Sequence, residues 1–453
     1  MWRPKIDWNS DVPIFRLLLQ AIADDVASGE LVAGARLPAS RDLADLLGVA
    51  RGTVAKAFVE AERLGLVQCD VGRGTFVLAR DEGARPYASL IVGPTALSDL
   101  TANLPLPGLD PDPASALEAI ARRPDRHLLF RYHAPAGAIR HRQAGAQWLE
   151  RLGVSASGDQ VLVCAGAQHA IFVALAHLTR RSKILYAEEL SYPGLHSIRE
   201  TLRMELVPVG MDADGIDPAA LARALRRHGS GAIYLMPTIH NPTGAVLPAE
   251  RREAIARLAR QHDCAIIEDD ANRLLAASPP NSFWHLAPER TFVVASVSKI
   301  LSPGLRIGYL LAPAPDQAAL LRHLWATHWM AGPLNAEIVA MWLNDGTVDR
   351  TIAAKRVEAK RRQSLTRTSL SGLRIEAHST SLHAWVHLPS RLDSARALAA
   401  TIDRGVVGTP AAAFWNRPTP PPNAIRIALA SVPRRADLKR ALRRLVEATS
   451  TSS

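Results

Sequence analysis

Apolar residues recur along the chain with two different periods, and the change of period divides it. In the first eighty residues the spacing is helical: Ile14–Ala27 places apolar side chains on one face and stops at Ser28-Gly29. Ser40 stands as a candidate N-cap for a second helix, Arg41–Leu47, and Gly48-Val49 breaks it before a third, Arg51–Leu64. Two short apolar runs follow, Gly65–Cys69 and Gly74–Leu78, hinged at Val71–Gly74 and predicting a hairpin. Arg80–Pro94 has no sustained period and carries Gly and Pro. Beyond it, short β-branched runs alternate with helical stretches such as Ala170–His177. The runs are Val161–Cys164, Ile184–Ala187, Ala232–Met236, Ala265–Ile267, Thr291–Ala295 and Ile307–Ala312. Strand–helix alternation predicts an α/β fold with a mainly parallel sheet covered by helices. The expected domains are a helix-turn-helix with a two-stranded wing over 1–80, a linker over 81–100, and an α/β domain over 101–453.

The net charge of +11 raises the possibility of a nucleic-acid partner. Its distribution does not point to the first eighty residues, where ten basic residues balance ten acidic ones. Much of the excess lies in Arg350–Arg367 and Arg434–Arg444, which read as solvated helix faces. An apolar content of 48% suits a globular protein, and no apolar run approaches the ~20 residues of a membrane span. The N-terminus lacks an apolar signal core, so a cytosolic protein is expected. Three scattered cysteines suggest reduced thiols, with neither a zinc site nor a disulfide framework. No histidines show metal-ligand spacing, and His127, His133 and His141 read as surface positions.

The chemistry concentrates in Ala295–Tyr309. Lys299 sits between two apolar runs, in a chain with seven lysines and forty-seven arginines. Burying an unpaired ammonium is costly, and a lysine depressed in pKa by apolar surroundings is the amine that forms Schiff bases. The competing reading is a surface lysine in a Gly-Pro turn. Ser296, Ser298 and Arg306 add two hydroxyls and a guanidinium, a phosphate-binding set. An aldehyde carried on a phosphate is pyridoxal 5′-phosphate (PLP). Other strand ends supply matching pieces. Gly166, Ala167 and Gln168 form a small-residue turn at a helix start, an anion site. Tyr192 could stack on a flat ring, Asn241 offers an amide, and an aspartate within Glu268-Asp-Asp270 could pair with a pyridinium nitrogen.

The words Gly166-Ala-Gln, Tyr192-Pro-Gly, Asn241-Pro-Thr-Gly, Glu268-Asp-Asp, Ser296-Val-Ser-Lys and Arg306-Ile-Gly-Tyr resemble those of fold-type I aminotransferases of class I/II, over about residues 100–445. The resemblance implies Lys299 as the Schiff-base lysine and Asp269 as partner of the pyridine nitrogen. It implies Asn241 on the ring hydroxyl and Tyr192 stacked on the ring. Gly166, Ala167, Gln168, Ser296, Ser298 and Arg306 would hold the phosphate. Tyr132 resembles the tyrosine that reaches the phosphate from a neighbouring subunit, and Arg426 the arginine that grips a substrate carboxylate. One departure stands beside Asp269: where the family places a tyrosine that donates to the ring hydroxyl, this chain has Ala271 and Asn272.

In the N-terminal part, Arg51 and Thr53 open the third helix, where recognition helices meet base edges. Arg36, Ser40, Arg41 and Lys56 could reach phosphates, and Arg73 at the hairpin tip the minor groove or backbone. The words Gly34–Ala44, Gly48–Phe58, Leu64-Gly-Leu66 and Gly72–Val77 resemble the GntR superfamily of bacterial repressors. Ala50 and Gly52 depart from it, replacing hydroxyl residues often found at that helix start. The two resemblances together are those of the MocR-type regulators. This implies a homodimeric, PLP-responsive transcription factor that binds a double-stranded DNA operator and senses PLP or a small amino compound. The rival expectation is a working aminotransferase that moves an amino group between an amino acid and a 2-oxo acid.

Overall fold

The computed structural model describes residues 2–6, 13–28, 30–32, 34–63, 66–70, 74–77, 98–389, 400–402 and 404–450. It divides into two compact units, Met1–Gly93 and Pro94–Ser453.

In the first unit, helices α1 (Ile14–Ser28), α2 (Ser40–Leu47) and α3 (Arg51–Arg63) close on Leu18, Ile22, Leu43, Val54, Ala57 and Phe58. These positions recur three and four apart, so each helix turns one apolar face inward. Gly48 ends α2 in the left-handed region at φ +65°, and its N–H reaches Ala44 O. Strands β1 (Val67–Asp70) and β2 (Gly74–Val77) pair antiparallel, with Val67 opposite Val77. The chain before α2 also joins β2: Gly34 N–H donates to Val77 O and Leu37 N–H to Thr75 O, both at 2.8 Å. One expectation is corrected. Ser40 is the first helical residue, and the N-cap is Ala39, whose methyl cannot accept a hydrogen bond. Arg73 and most of the expected linker lie outside the described residues.

The second unit holds a seven-stranded sheet. In spatial order its strands are β4 (Val161–Cys164), β12 (Gly308–Leu311), β11 (Thr291–Ser296), β10 (Ala265–Asp269), β9 (Ala232–Leu235), β5 (Ile184–Glu188) and β6 (Glu205–Val209). Strand β12 runs against its neighbours β11 and β4; the other recorded pairings are parallel. The strands read as unbroken apolar runs because both faces are covered. One face packs Val161, Val293 and Tyr309 on Trp148 and Trp342. The other packs Leu162, Phe292 and Leu310 on the helix Ala167–Leu178.

Further along the chain, β14 (His383–His387) and β17 (Ala424–Ala428) form the centre of a small antiparallel sheet under the C-terminal helix Arg435–Ser450. Ser98–Asp99 (β3) pairs with Val406–Val407 (β15), so the start of this unit is tied to its far end. No helix among the described residues is long and apolar enough to cross a membrane, and no metal-ligand cluster occurs among them. A second correction concerns His141. It is buried, and its Nε2 lies 3.0 Å from the buried carboxylate of Glu337, which also takes bonds from Arg123 and Arg140.

Gly145, within the helix Ile139–Arg151, lets that helix lie against the sheet: a Cβ there would come within 2.5 Å of Tyr309 and 2.7 Å of Val161. Alanine is the better helix former by up to about 1 kcal/mol, but the overlap is the larger effect. Gly145→Ala is expected to destabilise the large unit by about 1–3 kcal/mol in denaturant unfolding of the full chain followed by near-UV circular dichroism. A gain in stability would show that the helix can move off the sheet.

Candidate functional site

Parallel strands end on one edge of a sheet, so residues that follow them in sequence meet in space. The segments after β4, β5, β9, β10 and β11 carry Gly166, Tyr192, Asn241, Ala271 and Lys299 respectively, and Arg306 precedes β12 on the same edge. Asp269 is the last residue of β10 and is buried.

The carboxylate of Asp269 is fixed at both oxygens. The Tyr234 hydroxyl donates to Oδ2 at 2.8 Å, and the Ala271 N–H donates to Oδ1 at 3.1 Å. Burial pushes its pKa up to about 6, against the lowering effect of those two bonds. Lys299 responds in the opposite sense. Burial, with the Arg426 guanidinium as the second cause, lowers its ammonium to about 8, while Asp269 acts to raise it. The Lys299 ammonium donates to the backbone carbonyl of Asn103.

Arg426 is buried on β17, and burial lowers its pKa to about 10. Its Nη1 donates to Asn241 Oδ1 at 2.9 Å; its Nη2 donates to Thr101 O and, at 3.2 Å, to Thr409 Oγ1. The guanidinium also lies over the Phe414 ring at 4.9 Å. Lys299, Asp269, Asn241 and Arg426 therefore belong to one enclosure.

A second cluster surrounds the start of the helix Ala167–Leu178. Gly166 is its N-cap at φ +87° with no side-chain cap, so the first N–H groups of the helix have no intrahelical partner. A Cβ on Gly166 would come within 2.6 Å of Arg306 Nη2, and one on Gly308 within 2.7 Å of Gly166 C and 3.0 Å of Ala167 N. Arg306 Nη2 donates to Ala165 O at 3.2 Å. Ser296 is buried and its hydroxyl accepts from Ser298 N–H at 3.2 Å. Gln168 Nε2 donates to Gly194 O at 3.0 Å, while its Oε1 is buried without a hydrogen-bond partner. The Tyr192 ring and Gln168 Oε1 converge on Gly194, where a Cβ would meet them at 2.4 and 2.5 Å. Small residues, exposed N–H dipoles and a guanidinium suit a phosphate, and Asp269 suits a ring nitrogen. By chemistry and by these tight glycine contacts, the residues fit pyridoxal 5′-phosphate.

Two of the expected residues stand differently. Tyr132 is 78% exposed, and its ring lies 4.9 Å from Trp329 rather than in a recorded contact with the Lys299 cluster. Asn272 is buried, and its amide donates to Ile239 O at 2.9 Å, which holds the loop before Asn241. Ala271 has no polar side chain and Asn272 commits an amide N–H to Ile239 O, so no hydroxyl stands at 271–272. Sequence reasoning missed Tyr234, Thr101, Asn103 and His383. Tyr234 could have been found from register alone, since it pairs with Ile267, two residues before Asp269 on the same strand face.

In the first unit Arg41 and Arg51 are exposed at the starts of α2 and α3, and Ser40 and Thr53 are half-buried there. Arg36 lies over Phe76 of the wing, with its centre 6.0 Å from the ring. Lys56 stands 4.1 Å above the Phe15 ring of α1, so its ammonium is held near the helix rather than extended.

The model for aminotransferase class I and II matches residues 95–445, and that for bacterial regulatory proteins of the gntR family matches residues 18–77. The uncharacterized HTH-type transcriptional regulator YdeF of Bacillus subtilis is 29% identical over 87% of this chain and 85% of its own. The HTH-type pyridoxine biosynthesis transcriptional regulator PdxR of Corynebacterium glutamicum is 30% identical over 79% and 78%. Among solved structures, the kynurenine aminotransferase of Pyrococcus horikoshii superposes with a TM-score of 0.71 at 21% identity, over 78% of this chain and 91% of that one. The fold is that of the PLP-dependent aminotransferases. With a gntR-family helix-turn-helix ahead of an aminotransferase class I and II domain, the chain belongs to the MocR-type family of transcriptional regulators.

Proposed function

We propose that this regulator binds an operator through α2, α3 and the wing. Its large unit holds PLP on Lys299 and reads a small amino compound bearing a carboxylate. The observation that carries the ligand half is the shared enclosure of Lys299, Asp269 and Arg426: a depressed amine, a buried carboxylate and a carboxylate-gripping fork. When bound, the cofactor supplies an aldehyde that condenses with amines and a ring that withdraws electrons. Asp269 would keep a proton on the ring nitrogen, and the turn at Gly166 with Ser296, Ser298 and Arg306 would take the phosphate. Arg426 would orient the carboxylate of the incoming amino compound bidentately.

A homodimer is supported by the exposed aromatic set Phe130, Tyr132, Trp325 and Trp329, in which Trp325 and Trp329 stand 4.9 Å apart. Tyr132, displayed there, would complete the phosphate site of a second copy. Arg51 and Thr53 would face base edges, with Arg36, Ser40, Arg41 and Lys56 on the phosphate backbone. The place of action would be the cytoplasm, where operator DNA lies.

The rival, an enzyme that completes amino transfer, draws on the presence of Arg426. Against it stands the alanine at 271 and the committed amide of Asn272, which leave the ring hydroxyl without that donor. Sensing requires only that the amine be exchanged at Lys299 and that the two ligand states differ in affinity for one protein conformation.

The deciding experiment is a gel-shift of the full chain on DNA from upstream of its own gene at fixed salt, with and without PLP and a panel of amino acids. Specific binding that PLP or one amino acid alters is expected. No specific binding, beside covalent PLP and turnover of a 2-oxo acid, would make the enzyme the better reading. Lys299→Ala is expected to abolish covalent retention of PLP after borohydride reduction, read by intact mass, and to leave DNA binding in place. Arg51→Ala should do the reverse, weakening binding by about 1–3 kcal/mol.

A pH dependence also follows. With Lys299 titrating at about 8, roughly a tenth of it is free amine at pH 7, and Asp269 ionises at about 6. Both changes run the same way: the attacking amine and the ring-pairing carboxylate each form as pH rises. The rate of covalent PLP incorporation should therefore climb from pH 6 to 8.5. A profile flat across that range would mean that neither group limits capture.

A further inference from the structure

Lys299 and Arg426 are joined by more than proximity. Lys299 donates to the carbonyl of Asn103, and the Asn103 amide lies 3.3 Å from His383 Nδ1. His383 Nε2 in turn lies 3.0 Å from His240 O, next to Asn241, whose Oδ1 accepts from Arg426 at 2.9 Å. Arg426 then donates to the carbonyl of Thr101, two residues before Asn103. The contacts close a ring, and one side of it is the backbone Thr101–Asn103.

We infer that Thr101–Asn103 is the output latch of the ligand site, held by its carbonyls on Arg426 and Lys299 and by the Asn103–His383 pair. The inference rests on reading Lys299 and Arg426 as the ligand site. A carboxylate that takes Arg426 bidentately competes for the Nη2 that now serves Thr101 O and Thr409 Oγ1, whereas an amine that displaces Lys299 from the cofactor leaves the lysine free to keep its tie to Asn103 O. A ligand bearing a carboxylate therefore breaks the Arg426 tie to Thr101, and a ligand lacking the carboxylate leaves it in place.

His383 is buried and held neutral, its pKa lowered to about 3 by burial and then by Arg426. A neutral imidazole accepts at one nitrogen and donates at the other. Its Nδ1 thus accepts from the Asn103 amide while Nε2 donates to His240 O. Asn103 Oδ1 is buried with no partner, so the amide is held through its NH2 group alone. Further ties of the segment include Thr409 Oγ1 to Thr101 O at 3.1 Å, Thr101 N–H and hydroxyl to Asp99 Oδ1 at 2.8 and 2.6 Å, Leu100 N–H to Val407 O at 2.8 Å and Ala428 N–H to Leu100 O at 2.7 Å.

In sequence this segment stands a few residues after 78–97, the stretch that connects it to the DNA-binding unit. Release of Thr101–Asn103 would alter the anchoring of that connection. Such coupling works through differential affinity: a carboxylate ligand favours the released state because only there is the Arg426 fork fully available.

The test is hydrogen–deuterium exchange of the full chain, followed in peptides covering residues 98–104. The probes are N-(5′-phosphopyridoxyl)glycine, which has a carboxylate, and pyridoxamine 5′-phosphate, which has none; binding of each is followed by its absorption. Severalfold faster exchange with the glycine adduct, and a smaller change with pyridoxamine 5′-phosphate, is expected. Binding of both probes with exchange unchanged, slowed, or equal for the two would overturn the latch and leave the cofactor reading standing. Failure of pyridoxamine 5′-phosphate to bind would overturn the cofactor reading and the latch with it, and failure of the glycine adduct alone would overturn the latch. Asn103→Ala and, separately, Thr409→Val should speed exchange at 98–104 before any probe is added and shrink the response to the glycine adduct. Normal exchange in both variants would show that the ring does not hold the segment.

Discussion

Two cations, the ammonium of Lys299 and the guanidinium of Arg426, share one enclosure, and the large unit is arranged around making that tolerable. Burial disfavours both charges, and the guanidinium further disfavours the ammonium. The compensation is local and specific. Asp269 supplies the opposing charge from the end of β10, Asn241 and Thr101 take two of the guanidinium's bonds, and the Phe414 ring covers its face. What remains uncompensated appears as chemistry: an amine whose pKa has fallen to about 8. The sheet makes this possible because its parallel strands deliver Asp269, Asn241 and Lys299 to one edge while their own backbone bonds stay satisfied.

Much of this was legible in the sequence. Lys299, Asp269, Asn241, Gly166 and Arg306 were readable because each sits in a short word at a strand end, and strand ends of one sheet meet. The strands themselves were readable as unbroken apolar runs. Contacts that depend on distant segments were hidden. Nothing in the local sequence says that the carbonyls of Thr101 and Asn103 lie on Arg426 and Lys299, because a carbonyl belongs to every residue. The Tyr234 hydroxyl on Asp269 depends on strand register. His141 read as a surface position because its partner, Glu337, lies 196 residues away. Ser40 was misjudged by one residue, within the ordinary uncertainty of a helix start.

The N-terminal unit shows a different balance. Its helices and wing were readable from period and turn residues, since contacts in so small a unit are local. The tie between the chain before α2 and β2 was not, and it matters for Arg36. That residue lies in the tied strand, with its side chain against Gly74 and Phe76, so the wing positions it. A residue expected to reach phosphate is thereby placed by the wing beside it rather than by helix α2, which it precedes.

The absence of a tyrosine hydroxyl at 271–272 gains its meaning from the rest of the site. An enzyme must lower barriers at every step after the amine is captured, whereas a sensor needs only capture, exchange and a change of shape. On the proposed reading, the residues that would capture are a depressed lysine, a carboxylate for the ring nitrogen, a fork for the carboxylate and a small-residue turn for phosphate. Asn272 has been turned to hold the loop that carries Asn241, and Asn241 is itself a bond of Arg426. One of the two positions at which the resemblance implies that tyrosine here holds the loop before Asn241. On the proposed reading, the site would keep its grip on both ends of an amino compound without that donor to the ring between them, which is the balance expected where binding, rather than turnover, is the output.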